Sequence, residues 1–331
     1  MTKYKLAQLA EIKYGKDHKK LGKGSVPVYG TGGIMRYVND FIYEGESVLI
    51  PRKGSLNNLF YVHGKFWTVD TIFWTKIDSK IVLPRYLYYY LSRIDLTSYN
   101  VGSAVPSLTI SLLNELVLDI PPISVQKDVV NKLTAIENKI KINEQINDNL
   151  LELSNTLFKN MFKSDGDNLI SDYLLPKRGK NLLKKNVVPG KVPVVAGGLK
   201  PAAFHNEANT KAPAITISAS GANAGFVQIW GQEVWSSDSS YIDTTIAADI
   251  FFWYILLKNK QEQIFDAQSG SAQPHIYPKH IGNLTVPNFD MSKVHEFNDL
   301  ITPIFNKIFQ NQKENRDLEE IKIYLLNTYF N

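Results

Sequence analysis

The sequence predicts an α+β protein: two tandem mixed α/β domains, separated by two long helices that pair as an antiparallel coiled coil in a pseudo-twofold repeat. Three observations support this prediction. Similar blocks of sequence recur at one offset, strand-like runs separated by turn residues fill most of each half, and each half ends in a long segment of helical periodicity. The 331 residues are enough for two such units.

The internal repeat sets the order of the domains. Five blocks recur in one order, 166 to 168 residues apart. The pairs are VPVYGTGG (26–33) with VPVVAGGL (192–199), SVLIPRKGS (47–55) with AITISASGA (214–222), FWTVDT (66–71) with EVWSSDSS (233–240), GSAVPSL (102–108) with GSAQPHI (270–276), and LVLDIPP (116–122) with LTVPN (284–288). One shared offset indicates a tandem duplication. We therefore place a first domain, head 1, at residues 1–120 and a second, head 2, at 164–289, with the long helices at 121–163 and 290–331.

Each head mixes short strands with one apolar helix. Runs of β-branched and aromatic residues between Gly, Pro and Asn predict the strands, and longer apolar stretches predict the helices. The strand candidates are Ser47–Pro51, Phe66–Trp74, Ala214–Ser218 and Phe226–Trp230, and the helix candidates are Pro84–Ile94 and Ile246–Lys258.

Long helices are predicted at Ser124–Phe162 and Ser292–Tyr329, because apolar residues recur there at steps of three and four. They are Val129, Leu133, Ile136, Ile140, Leu150 and Leu157, and, 168 positions later, Phe297, Ile301, Ile304, Ile308, Leu318 and Leu325. Such a narrow stripe is typical of a coiled-coil seam. Asparagines interrupt both seams at equivalent positions: Asn143, Asn147, Asn311 and Asn315. Buried asparagine specifies register at a cost in stability, so we predict antiparallel pairing with these four close together.

The helices have two possible roles. About 38 residues make a rod of roughly 57 Å, longer than one turn of duplex DNA at about 34–36 Å. Such a rod can separate two heads by a fixed distance, and the alternative is a dimerisation coil that measures nothing. Proline inside a helix costs about 3 kcal/mol and kinks it, so a bend is expected near Asp299–Pro303.

Composition excludes several classes of function. The absence of cysteine rules out disulfides, thiolate metal sites and a cysteine nucleophile, and fits a reducing compartment. The N-terminus lacks the apolar core of a signal peptide, and the longest apolar run, Ile250–Leu257, is too short to span a membrane. We therefore expect a cytoplasmic protein. The net charge of +5 is mild, but residues 1–120 hold 15 Lys and Arg against 10 Asp and Glu, which favours a polyanionic partner.

Both heads begin with a basic stretch. GKDHKKLGKG in head 1 contains Lys16, Lys19, Lys20 and Lys23, and PKRGKNLLKK in head 2 contains Lys177, Arg178, Lys180, Lys184 and Lys185. Lysines on a glycine-containing loop suit contacts to DNA phosphates, which position a protein without reading sequence. The alternative is a solvated surface loop.

Two further loops could read bases. Arg pairs with guanine and Asn with adenine, so strand-end loops of different composition would read different half-sites. In head 1 the candidates are Arg52, Lys53, Ser55, Asn57, Ser103 and Ser107, and in head 2 they are Ser218, Ser220, Asn223, Ser271, Gln273 and His275. The alternatives are ordinary hydrated turns for the first loop, and a lock between head and helix for the GSAVPSLT and GSAQPHIY segments.

Catalytic motifs are missing. DIPPI at 119–123 departs from the [DNS]PP[YF] motif of adenine methyltransferases, no Walker A loop is present, and the six histidines form no metal-ligand spacing. Asp70 and Asp238 recur, but without acidic and lysine partners we expect them to stabilise a turn rather than to act in a nuclease. We therefore predict no catalytic residue, no metal ligand and no enzyme activity.

The whole chain resembles the DNA-specificity subunit of Type I restriction–modification systems. The duplicated head-plus-helix order, the VPVYGTGG and VPVVAGG blocks, GSAVPSLT and GSAQPHIY, and IPPISVQKDVV before the first long helix carry the resemblance. The second linker, VPNFDMSKVHEF, departs from the IPPxxxQ form.

The resemblance implies that each head is a target-recognition domain for one half of a split double-stranded DNA site. It also implies that the helices set the gap and bind two adenine-methylating modification subunits, with a motor–nuclease restriction subunit joining them. S-adenosylmethionine, ATP and Mg are then expected only in those partners, and this chain holds no cofactor. The alternative reading is a non-catalytic protein–protein scaffold with two adaptor domains.

Overall fold

The computed structural model describes residues 1–102, 104–163, 165–270 and 273–330. Its contacts divide the chain into two compact units. Unit 1 comprises Met1–Ile140 with Arg316–Asn331, and unit 2 comprises Lys141–Asn315. Each long helix therefore contributes to both units. The domain limits drawn from the repeat stay a prediction, because they trace the duplication rather than these contacts.

Unit 1 contains eight strands in its described residues. They are β1 (Thr2–Lys5), β2 (Ala10–Tyr14), β3 (Lys23–Gly30), β4 (Gly33–Val38), β5 (Tyr43–Pro51), β6 (Phe60–Thr68), β7 (Ile72–Ile77) and β8 (Val117–Ile120). Its α-helices are α1 (Leu6–Leu9), α2 (Pro84–Leu91), α3 (Ile110–Asn114), the first part of α4 (Ile123–Met161) and the end of the last long helix, from Arg316 onward. Six strands form one sheet in the order β2-β7-β5-β6-β3-β4, and β1 pairs with β8. Only β3 and β6 run parallel among these pairs.

Unit 2 contains β9 (Asp165–Leu169), β10 (Lys177–Arg178), β11 (Pro189–Val195), β12 (Ala203–His205), β13 (Ala214–Ser218), β14 (Val227–Trp230), β15 (Trp235–Ser236), β16 (Ser239–Asp243) and β17 (Thr285–Pro287). Its helices are α5 (Ile250–Asn259), α6 (Gln261–Asp266), α7 (Pro278–Gly282) and most of α8 (Met291–Phe330). The sheets have the orders β10-β16-β13-β14, β12-β11-β15 and β17-β9.

The two heads share one strand order. In both, a central strand (β5 or β13) has antiparallel neighbours on each side. A later strand pairs parallel with the VPV strand, so that Val28 lies opposite Trp67 in head 1 and Val194 lies opposite Trp235 in head 2. The equivalent of β6 is broken into β14 and β15, which divides the second sheet. This agreement confirms the tandem α+β architecture predicted from the repeat.

The cores form where the head helices meet the sheets and the long helices. In unit 1 the largest cluster includes Tyr86 and Leu87 of α2, Leu133 of α4 and Phe330 of α8. In unit 2 every residue from Ile250 to Leu257 is buried. The apolar run that is too short for a membrane is therefore a core helix, as its all-round hydrophobicity requires.

Several element boundaries differ from the sequence prediction: β5 begins at Tyr43 and not at Ser47, and α2 ends at Leu91 and not at Ile94. Two further differences have a physical cause in the structure. The candidate strand Phe66–Trp74 is two strands, because the chain reverses at Val69–Thr71. The apolar helix of head 2 begins at Ile250 rather than Ile246, since the Asp243 carboxylate accepts hydrogen bonds from the N–H (3.0 Å) and hydroxyl (2.6 Å) of Thr245 and holds a turn there.

Within each unit the long helices run antiparallel. In unit 1, Glu137 pairs with Lys322 and Lys132 lies near Tyr329. In unit 2, Asn143 Nδ2 donates to Asn315 Oδ1 at 2.8 Å and to Glu314 Oε2 at 2.8 Å, and Asn311 Nδ2 donates to Asn147 Oδ1 at 2.9 Å. All four seam asparagines thus lie together. The helix continues through Pro303.

A buried glutamine attaches α4 to head 1. Gln126, fully buried, accepts from the N–H of Leu83 at 2.8 Å and donates to the carbonyls of Ile81 (2.9 Å) and Pro121 (2.8 Å). The glutamine of the IPPxxxQ form therefore satisfies two backbone groups just before α2 and one just before α4, which would otherwise lack these partners.

In head 2, different residues form the hydrogen bonds that attach the long helix to the start of the head helix. Asn298 Oδ1 accepts from the N–H of Phe251 at 3.1 Å, at the start of α5. His295 Nδ1 lies 2.7 Å from Asp249 Oδ1, and this hydrogen bond raises the pKa of His295. The second linker thus lacks the glutamine but keeps a helix-to-head attachment.

Candidate nucleic-acid interface

The basic loop of head 1 is anchored by a repeated tryptophan. The indole N–H of Trp67 donates to the carbonyl of Lys16 at 2.9 Å, and the Lys16 N–H donates to Thr68 at 2.8 Å. A Cβ at Gly15 would collide with the carbonyl oxygen of Val69, so glycine allows the loop this close to the sheet.

The basic loop of head 2 is held in the same way. Trp235 Nε1 donates to the Lys180 carbonyl at 2.8 Å, the Lys180 N–H donates to Ser236 at 2.9 Å, and a Cβ at Gly179 would meet the Ser236 carbonyl. The eight candidate lysines of the two loops are exposed, and none forms an ion pair within the described ranges: Lys16, Lys19, Lys20, Lys23, Lys177, Lys180, Lys184 and Lys185. They are free to contact phosphates.

The strand-end loops meet the Gly/Pro segments through the same bonds in both heads. Gly54, at φ +88°, donates to Pro106 at 2.9 Å, and Gly221, at φ +80°, donates to Pro274 at 3.1 Å. Lys53 bridges to Ser107, and Ser220 bridges to His275. The two kinds of candidate base-reading loop therefore form one platform in each head. Glycine is required because other residues rarely adopt positive φ.

Several candidate base-reading side chains are occupied within the protein. Asn57 Nδ2 donates to Asp95 at 2.9 Å while its Oδ1 accepts from Leu96 at 2.8 Å. Asn223 Nδ2 donates to the Gly197 carbonyl at 3.1 Å. Ser218 is 5% exposed, because it lies within β13. Asn57 and Asn223 thus hydrogen-bond within the protein, although Asn57 remains exposed, and the buried Ser218 does not reach the platform surface. Base contacts by Asn57 and Asn223 stay a prediction.

The arginines of the two heads are in different electrostatic settings. Arg52 donates to the Asp70 carbonyl at 3.1 Å and lies 5.3 Å from the centre of the Tyr14 ring, and it forms no ion pair with a carboxylate of the described residues. Arg178 pairs with Asp238 at 2.7 Å, and Ser220 also donates to Asp238. Asp238 thus fixes a loop, in line with the turn role expected of the repeated aspartates.

The other candidates lie on or beside the platform. Lys53, Ser55 and Gln273 are exposed, and Ser107 and His275 are half-buried. The His275 ring stacks on Tyr277, with centroids 6.0 Å apart. Ser103 and Ser271 lie outside the described residues.

The structure also brings the VPVYGTGG block to this surface. Thr31 and Met35 line one pocket with Lys19 of the basic loop and Asp70 of the adjoining turn. Asn58 Nδ2 donates to the Thr31 carbonyl at 2.5 Å, which joins this hairpin to the strand-end loop. No DNA-contacting residue was predicted in this block, although its recurrence in both heads is a signal that marks it.

No cluster of three or more potential metal ligands occurs among the described residues. A group of charged side chains around Glu137 in unit 1 is instead structural. Glu137 accepts from Arg85 Nη2 at 2.7 Å and Tyr89 Oη at 2.8 Å, and Lys322 Nζ lies 3.2 Å away. Burial raises the pKa of Glu137, but these donors outweigh burial, and its net pKa lies below the ordinary value. None of the helices in the described ranges is long and apolar enough to cross a membrane.

Together these features define a tandem-repeat α+β protein with a basic, glycine-shaped loop platform in each head. Comparison with known proteins then identifies the family that the chain resembles. Residues 1–152 match the Type I restriction modification DNA specificity domain. The resemblance to the specificity subunits of Type I restriction–modification systems is thereby confirmed.

Individual relatives agree. A putative type I restriction enzyme specificity subunit of Haemophilus influenzae is 32% identical over 34% of this chain and 30% of its own length. A putative type I specificity subunit of Mycoplasma pneumoniae is 28% identical over 62% of this chain and 56% of its own. The chain thus covers about three tenths of the length of the first relative and just over half of the length of the second.

The fold as a whole has a counterpart among solved structures. The S subunit of a Type I restriction–modification system from M. genitalium superposes with a TM-score of 0.67 at 19% identity, covering 98% of this chain and 94% of that one. At this identity the likeness concerns the fold. It confirms two mixed α/β domains with long helices as the architecture of this chain.

Proposed function

We propose that this protein is the sequence-reading subunit of a Type I restriction–modification complex and recognises a bipartite double-stranded DNA target. One observation carries the proposal. Both heads build the loop platform with equivalent backbone hydrogen bonds, yet the side chains at equivalent positions differ: Arg52 and Lys53 in head 1, and a buried Ala219 and a half-buried Ser220 in head 2. One scaffold with two sets of contacts suits two different half-sites.

The role we propose is non-catalytic. The curated relatives are named as specificity subunits, which supports this role. Adenine methylation would be performed by two modification subunits and cleavage by restriction subunits, in the cytoplasm. S-adenosylmethionine, ATP and Mg would bind to those partners and not to this chain.

The test is methylome sequencing of a host with and without this gene, with its modification subunit present. We expect a split asymmetric motif with modified adenine in each half, which disappears on deletion. The gap between the halves would report the separation of the two reading sites.

The opposite result would have a clear meaning. If the modification subunit is expressed and no motif depends on the gene, the proposal fails in vivo. Purified protein would then separate the remaining readings. Salt-dependent DNA binding indicates an inactive reader, whereas salt-insensitive behaviour without DNA affinity indicates a protein–protein scaffold.

A further inference from the structure

Both heads expose large apolar side chains on the same hairpin. We call β3 with β4 ribbon 1 and β11 with β12 ribbon 2. The edge strand of each ribbon carries an exposed aromatic residue opposite the proline of the VPV sequence. Tyr37 is 53% exposed and faces Pro27, and Phe204 is 52% exposed and faces Pro193. Large exposed apolar groups at one repeated position indicate a binding surface.

The ribbon tips continue this surface. Met35 is 60% exposed just after the tip of ribbon 1, and Leu199 is 53% exposed in the turn of ribbon 2. At both tips a backbone carbonyl accepts a hydrogen bond from a side chain that lies outside the ribbon. Asn58 donates to the Thr31 carbonyl at 2.5 Å, and Gln228 Nε2 donates to the Leu199 carbonyl at 2.9 Å. The apolar side chains are therefore presented on fixed backbone.

Cations surround the apolar groups of ribbon 1. Met35 shares a pocket with Lys19, and Tyr37 lines a groove with Lys23 and Arg36. No carboxylate is among the residues that line the groove, whereas Asp17 and Asp70 both line the pocket, where the Asp17 carboxylate accepts from the Lys19 N–H at 3.0 Å. An apolar strip bordered by lysines fits DNA, whose groove offers thymine methyl groups between rows of phosphates.

The dimensions of the element agree with this occupant. The major groove, about 12 Å wide, admits a two-stranded β-ribbon. Each ribbon lies at an edge of its sheet, so one long side is free of strand partners among the described residues. Each ribbon is also attached to the strand-end loop, which carries the remaining candidate base contacts.

We propose that the two ribbons enter the major groove, one in each half-site, and that Met35 and Leu199 contact thymine 5-methyl groups. This inference rests on the proposed function, and it adds the element that enters the groove and the base that it reads. Specificity at these positions would come from an apolar contact rather than from hydrogen bonds.

The experiment uses the full chain with its modification subunit and a duplex selected from a random library by the wild-type complex. Each thymine is replaced in turn by deoxyuridine, which lacks only the methyl group, and Kd is measured by fluorescence anisotropy. We expect a loss of about fourfold at one thymine in each half-site, the effect of one buried methyl.

Variants assign each contact. Met35→Ala should bind the thymine duplex several-fold more weakly and should lose discrimination in the first half-site only, and Leu199→Ala should do so in the second. Met35→Leu should keep the discrimination between thymine and deoxyuridine, because it retains a large apolar side chain. This result would show that the position can be substituted without a folding defect. Val117→Ala is the matched control, because Val117 is 56% exposed on β8, outside both ribbons.

The outcomes are distinct. If wild type prefers its target but Met35→Ala and Leu199→Ala bind and discriminate as wild type does, the ribbon proposal is wrong and the proposed function stands. The same holds if these variants lose the modification subunit while keeping DNA affinity, because the ribbons then bind protein. If wild type binds all duplexes equally, the proposed function itself fails.

Discussion

Arg85 of α2 and Glu137 of α4 form an ion pair, with Nη2 and Oε2 2.7 Å apart, at the contact between the long helix and the head in unit 1. The corresponding contact between α5 and α8 in unit 2 includes Phe251 and Phe305, whose rings stack with centroids 4.5 Å apart and an angle of 10° between their planes. One repeated contact therefore uses charge in one unit and aromatic packing in the other. The two attachments should respond differently to pH and salt.

Glu137→Gln should destabilise unit 1 by about 1–2 kcal/mol, less than for a fully buried pair, because both partners are partly exposed. The variant leaves Arg85 and Lys322 without their carboxylate. The folded-state pKa of Glu137 is lowered from its ordinary 4.5. Its contribution is therefore complete above the unfolded-state pKa and is lost as pH falls through the folded-state pKa.

Urea unfolding at several pH values checks this prediction. The difference between wild type and Glu137→Gln should be largest near neutral pH and should shrink as the solution becomes acidic. Glu144→Gln, which changes an exposed residue of the same helix, should have little effect. A difference that grows on acidification would contradict the assigned role.

Gln126→Ala should be among the more destabilising single changes in unit 1. It leaves the Leu83 N–H and the carbonyls of Ile81 and Pro121 without their partner, at a cost of about 2–4 kcal/mol. Chemical denaturation measures the loss. Gln145→Ala, an exposed glutamine on the same helix, is the control, and equal stability of the two variants would show that the buried attachment is dispensable.

The seam asparagines should lower the stability of the helix pair and make the pairing of the two helices more specific. Asn143 and Asn311 are 1% and 0% exposed, and the Oδ1 atom of each is buried without a hydrogen-bond partner. Replacing both with leucine should raise the melting temperature and allow alternative pairing, detected as mixed oligomers by light scattering. A lower melting temperature would show that their amide hydrogen bonds matter more than the buried oxygens.

Trp67→Phe should loosen the basic loop of head 1 without unfolding the head. It removes one hydrogen bond, to the Lys16 carbonyl, worth about 1 kcal/mol. Hydrogen exchange should become faster at the Lys16 N–H, and DNA affinity should fall. Trp230→Phe, which loses a bond to Thr216 in head 2, should leave exchange at Lys16 unchanged. Unchanged exchange in Trp67→Phe would mean that the indole does not anchor the loop.

The exposed lysines should act through phosphates. Lys19→Ala and Lys20→Ala should each weaken binding to all duplexes alike and lower the slope of log affinity against log salt by about 1. Binding isotherms from low to moderate salt measure this slope. Lys127→Ala, an exposed lysine at the start of α4, provides the comparison. A change in sequence preference instead would assign these lysines to base reading.

The order of the heads and of the long helices can be predicted from the amino-acid sequence alone. The offset between repeats gives the order of heads and helices, and helical periodicity gives α4 and α8 to within a residue or so at each end. The seam asparagines were found because their position follows from periodicity alone. These features are local or repeated, so one chain carries enough information to find them.

Which polar side chains are free to contact DNA depends on the tertiary structure. Asn57 and Asn223 look like base readers in the sequence, but their partners, Asp95 and Gly197, lie 38 and 26 residues away. The Arg85–Glu137 pair joins residues 52 apart. A hydrogen bond depends on geometry within about 3 Å, and the folding of distant segments sets that geometry. Sequence pattern therefore located the loops, and packing decided which of their side chains hydrogen-bond within the protein.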